Sequence, residues 1–474
     1  MALSDGKSSM DRQNNVASIE NLPGEITIEI LKQLPDIKSL MNLMKAFPGA
    51  FRAIYGSEFN ENTVLKSILS TELGGHLNMA IKRLNAFRKV DKPLRPYDIR
   101  PVQDYRSMVQ QFCNEESRRR NMGKPLVDLD WFTLERALEM SSFHSVVLKW
   151  VDILAKIISR GPSNGRRFGF LSPSSMKYLD DQERYRVAKI LYVTELVSML
   201  FPVKYPFQWN DGDDRFWRIF WADYKPWEYR QYVEMQEALT DLCENKFWDQ
   251  YFYHNSPIGA SLRGVVVDMT PESKLHRICQ VLSLQAGLHA LLDVVPSARP
   301  NPEKNIYQHN ILDVIRDLNG ELMHWCRYIE TSSTYSLTKG YKWWLGLGYR
   351  TEEDLLEKTN KLYFAKFTNN PEDPDGIDEA PLRCWLFDLM KYGRRHSHDI
   401  NIRWPRDNGT YIMTSFFSSY RWESQGWKMP SLADLRKEAE QHVLDERGHV
   451  IPRPEMNYEA PDRYEIGNYP MWID

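Results

Sequence analysis

The chain has 474 residues, 42% of them hydrophobic, and a formal net charge of −3. That length holds a substantial core, as about three average domains or as one small module and one large one. Near-balanced charge argues against a nucleic-acid polyanion or an anionic membrane as a bulk partner. Five cysteines, at 113, 243, 279, 326 and 384, are odd in number and widely spaced, and no two have zinc-knuckle spacing. They predict reduced thiols in a cytoplasmic or nuclear setting, not a disulfide framework.

Residues 1–18, MALSDGKSSMDRQNNVAS, are polar and without an apolar run, which predicts a disordered arm and not a signal peptide. The composition then changes abruptly. Between residues 19 and 56, Leu22-Pro23 marks a helix start, because proline lacks only an N–H that has no intrahelical acceptor there. Glu25 sits near the positive end of the helix dipole. Leu22, Ile26, Ile30, Leu31 and Leu34 recur at the spacing of an amphipathic helix from Pro23 to Leu34, which Pro35 stops. Asp36 or Ser39 is placed to cap a second helix carrying Leu40, Leu43, Met44 and Phe47. Pro48 and Gly49 break the chain again before a third helix with Phe51, Ile54 and Tyr55. Three helices in about forty residues bury too little surface to stand alone, so some of these side chains must dock elsewhere. Either the rest of the same chain or a second protein can supply the missing surface.

The ordered positions Leu22, Pro23, Glu25, Ile26, Ile30, Leu31, Leu34, Pro35, Asp36, Leu40 and Leu43 resemble the F-box pattern. The Cys-x-x-x-Trp often found late in an F-box is replaced here by Ala46-Phe47-Pro48 and Tyr55. The resemblance implies a three-helix module at 19–56. In it Leu22, Pro23, Ile26, Ile30, Leu31, Leu34, Pro35, Leu40 and Leu43 would pack against a Skp-family adaptor, and through it a cullin and a RING subunit. In such an SCF-type ubiquitin ligase the chain would be the substrate receptor.

Residues 57–448 are predicted to form a large, irregular, mainly α-helical domain. The basic run Arg118, Arg119, Arg120 with Lys124 reads as a solvated helix face. The longest apolar stretch, VVLKWVDILAKII, is cut by Lys149, Asp152 and Lys156, so it predicts a buried amphipathic helix and not a membrane span. A loop at 161–174 precedes a long helix from Asp180 to Phe201, with Tyr185, Ala188, Leu191, Leu196 and Leu200 inward. Trp217, Trp221, Trp227 and Tyr229 crowd before a helix containing Gln231, Gln236 and Leu239, and rings this large more often build core than line a site. Pro226-Trp227-Glu228 with a following Gln, downstream of the helix at 184–201, is similar to the C-terminal regions of filamentous-fungal F-box proteins, a second point of the same resemblance.

Further helices are predicted from Glu272 to Val295, from Ile311 to Tyr328, and from Ser431 to Glu446, the last with Ser431 and Asp434 in capping-box positions. Residues 369–381 read as an acidic surface loop, in which Asp373, Asp375 and Asp378 around Gly376 miss the ligand order of an EF-hand. From 449 onward the Pro- and Tyr-rich tail is predicted to lie extended. No repeat of fixed period is visible, which weakens the usual leucine-rich and propeller companions of an F-box.

Catalytic motifs are sparse. The sequence has no nucleophile elbow, no His-Glu-x-x-His and no P-loop. His396 and His398 beside Asp399 read as loop histidines, and Gly346-Leu347-Gly348 as a turn lacking the third glycine of a dinucleotide site. Two expectations follow. One is a non-enzymatic receptor with no cofactor or metal, working by proximity on an unknown protein target. The other is a helical small-ligand-binding protein or enzyme whose opening helices belong to its own core.

Overall fold

The computed structural model describes residues 22–89, 109–115, 118–119, 127–159, 179–200, 220, 224–252, 279, 287–294, 378–384, 414–424, 431–434, 443–444 and 450–451. Among these residues the fold is mainly α-helical, with one two-residue antiparallel pairing of Val443–Leu444 (β1) to Val450–Ile451 (β2). The chain divides into two compact units, Met1–Leu77 with Val127–Ser142, and Asn78–Leu126 with Phe143–Asp474.

In the first unit α1 (Gly24–Lys32), α2 (Ile37–Ala46) and α3 (Pro48–Tyr55) are short, and α4 (Glu58–Leu73) is the long helix they share. Pro23 starts α1 from a non-helical conformation and its carbonyl accepts from Thr27 N at 3.0 Å. Asp36, not Ser39, is the cap of α2: its carboxylate accepts from Ser39 N at 2.6 Å. That bond, first through the backbone N–H and then the Ser39 side chain, holds the Asp36 carboxyl below its ordinary value. α3 opens on Pro48.

All three pack on α4, which buries Val64, Leu65, Ile68, Leu69 and Leu73. Against them the short helices bury Leu31, Ile37, Leu40, Ala50 and Ile54. Polar bonds fix the register. Ser67 Oγ donates to Lys32 O (3.2 Å), and Glu72 accepts from Ile37 N (3.1 Å) and from Ser141 Oγ (2.5 Å). Gly74, at φ +51°, ends α4 in a conformation that an L side chain resists. The surface that three helices lack is thus supplied in part by a fourth from the same chain.

The second unit holds α5 (Leu77–Lys89, from Asn78 on), the part of α6 (Leu134–Ser159) beyond Ser142, α7 (Asp181–Leu200), α8 (Pro226–Phe252), α9 (Gly287–Val294) and α10 (Ser419–Ser424). α7 packs on α8 and α9, and its residues from Ile190 to Val197 are all buried, the mark of a helix enclosed on every side. Of its predicted inward residues Ala188, Leu191, Leu196 and Leu200 are buried, and Tyr185 is half-buried. In α6 Val147, Trp150 and Leu154 face the core while Lys149 and Asp152 are exposed, as their spacing predicts. Arg118 is exposed on a helical segment. No helix among the described residues is long and apolar enough to cross a membrane. Trp227, Tyr232 and Leu239 are buried in core, whereas Trp217 and Trp221 lie outside the described residues.

Two predicted helices are corrected. The helix expected through 272–295 does not run unbroken, because α9 begins at Gly287 with φ +69°, far from helical values. A Cβ there would sit 3.2 Å from Glu195 Oε2, the atom that accepts from Leu288 N at 2.8 Å. Glycine therefore lets Glu195 reach the start of α9. The helix expected over 431–446 has its cap, Asp434 N donating to Ser431 Oγ at 3.1 Å, but Val443–Leu444 is strand. The arm at 1–18, the loop at 161–174, the helix at 311–328, Gly346-Leu347-Gly348, Asp373, Asp375, Gly376, His396, His398, Cys326 and the tail beyond 451 lie outside the described residues.

Where α6 meets α7, His144 is buried with its Nδ1 3.1 Å from Tyr192 Oη. Burial pushes its pKa down from 6.5 to about 4. The folded protein therefore keeps His144 neutral while the unfolded chain takes up a proton below pH 6.5, so stability falls as pH drops through that window. Replacing His144 by Phe should flatten this dependence. Urea unfolding at pH 7.5 and pH 5 should show a loss up to about 2 kcal/mol smaller in H144F than in the parent.

Candidate functional site

The nine residues that the resemblance places against an adaptor separate by burial. Leu31 and Leu40 are 0% exposed, sealed in the core of the first unit. Helical geometry explains the split. Thr27 and Leu31, one turn apart, point into the unit, while Ile26 and Ile30, one turn apart on the neighbouring stripe, point away from it.

Ile26 is 49% exposed and Ile30 38%. Pro23 and Pro35 are exposed at the two ends of α1, and Leu22, Leu34 and Leu43 are half-buried. Ile26 and Ile30 thus form an outward apolar face on α1, flanked by the half-buried Leu22 and Leu34 just beyond its two ends. Single exposed aliphatic side chains need no explanation, but an ordered stripe on one helix is the form of a helix-docking surface. Exposed Glu25 and Glu29 flank it, the latter paired with Lys32 at 2.6 Å. Tyr55, at the end of α3, is 41% exposed, and burial of the rest of the ring, with the charge of Glu61, raises its pKa.

The second unit holds a different feature, a buried polar junction. Glu183 and Arg421 form a two-pronged ion pair, Nε to Oε1 at 2.6 Å and Nη2 to Oε2 at 2.5 Å. Arg186, with a fully buried side chain, donates to Asp378 Oδ2 (2.6 Å) and to the carbonyls of Phe416 and Phe417 (3.2 Å each). Ser415 donates through N and Oγ to Glu234, and its carbonyl accepts from Gln231 Nε2 at 2.7 Å. Asp180 and Glu183 also close a capping box at the start of α7, each carboxylate accepting the other's N–H, at 2.8 and 3.0 Å.

Asp378 is therefore not part of a solvated acidic loop, as its sequence neighbours imply. It is buried, and although burial alone raises its pKa, Arg186 and the Ser419 hydroxyl outweigh that and hold it below 3.8. Its contribution to stability is present above the unfolded value and is lost as pH falls through the folded one. The members of this junction satisfy one another, so it clamps segments 378–384 and 414–424 onto α7 and α8 and does not offer a reactive group. Among the described residues no group of His, Cys, Asp and Glu is placed to hold a metal ion.

No family model, no curated protein and no solved structure matches this chain.

Proposed function

We propose that the chain is the F-box substrate receptor of an SCF-type ubiquitin ligase, with α1 docking on a Skp-family adaptor and the second unit selecting a protein target. The observation that carries it is the division of α1. Leu31 is consumed by the core, yet Ile26 and Ile30 at motif positions remain outward on a helix packed against α4. A pre-organised helix loses little entropy on binding, so its apolar stripe converts efficiently into affinity. The receptor needs no acid, base or nucleophile. Holding a target beside a ligase raises its local concentration, and the transfer chemistry belongs to other subunits. Cullin and RING subunits join through the adaptor, in the cytoplasm or nucleus.

Gel filtration of the purified chain mixed with a purified fungal Skp-family adaptor tests this. The two should co-elute as a stoichiometric complex at micromolar concentration. Separate elution at tens of micromolar would reject the proposal and favour an independent helical ligand-binding protein or enzyme.

A further inference from the structure

We draw no further inference here: the strongest candidate, the open cleft of ≈ 650 Å³ lined by residues 180–182, Asp378, Glu379, Arg383 and residues 418–420, is an acidic cluster whose inner carboxylates are already engaged by Arg186 and Ser418, and nothing among the described residues points to a ligand for it.

Discussion

Ile26→Asp combined with Ile30→Asp should weaken adaptor binding at least a hundredfold while leaving the far-ultraviolet circular dichroism spectrum unchanged. Each isoleucine still has about half or a third of its surface in water, 49% and 38%, and that area is available for burial only against a partner. Completing the burial contributes roughly 1 kcal/mol per side chain, and carrying an unpaired carboxylate into an apolar interface costs more again. The sum exceeds the roughly 2.7 kcal/mol that a hundredfold change requires. Within the free protein both side chains are partly exposed, so the cost there is smaller: some lost packing of their covered area, on the order of 1 kcal/mol per site, and like-charge repulsion between the two new carboxylates and with Glu29, a few tenths of a kcal/mol. Leu31→Asp is the matching control. It places a charge at a position with 0% exposure, so it should unfold the first unit and lose binding together with helical signal. Equal binding by the Ile26/Ile30 double variant and the parent would remove α1 from the interface.

Arg186→Met should destabilise the second unit by about 3–5 kcal/mol, the range seen when one partner of a buried ion pair is deleted. The loss has three parts that share one cause. Asp378 keeps its charge or pays to become protonated, and the carbonyls of Phe416 and Phe417 lose their common donor. Arg186→Lys should recover little, because an ammonium cannot reproduce the planar fork that reaches a carboxylate and two carbonyls at once. Urea unfolding followed by tryptophan fluorescence reads the difference. In the Arg186→Met, Asp378→Asn pair no charge is left unmatched, so the double variant should be more stable than the sum of its single changes predicts. Strict additivity would show that the two side chains do not act together.

Short-range signals in the sequence carry much of this fold. Pro23, Asp36, Pro35 and Pro48 set the boundaries of α1 to α3 because each acts on its own backbone or on one a few residues away. Lys149 and Asp152 of the long apolar stretch fall on the outer face of α6 for the same reason. Gly287 shows where periodicity fails: the apolar pattern continues through it, and the break depends on Glu195, a residue distant in sequence that needs room at the start of α9. Asp378 reads as solvated from its acidic neighbours, but its partner Arg186 lies 192 positions away and no local pattern encodes that contact. The candidate docking face was half legible. Spacing collected Ile26, Ile30, Leu31 and Leu34 on one helix, but only α4 decides which stripe is buried, and α4 has apolar residues on several sides. Asp180-x-x-Glu183 is a capping box written in four consecutive residues, a local signal that marks the start of α7.

In the proposed complex the outer apolar face of α1 meets the adaptor. Hydrogen–deuterium exchange of the full chain, alone and with saturating Skp-family adaptor, measures it directly. Slowed exchange is expected in peptides covering residues 22–34, with peptides from α7 and α8 unchanged. Stable binding with no added protection at 22–34, or with protection confined to the second unit, would contradict it.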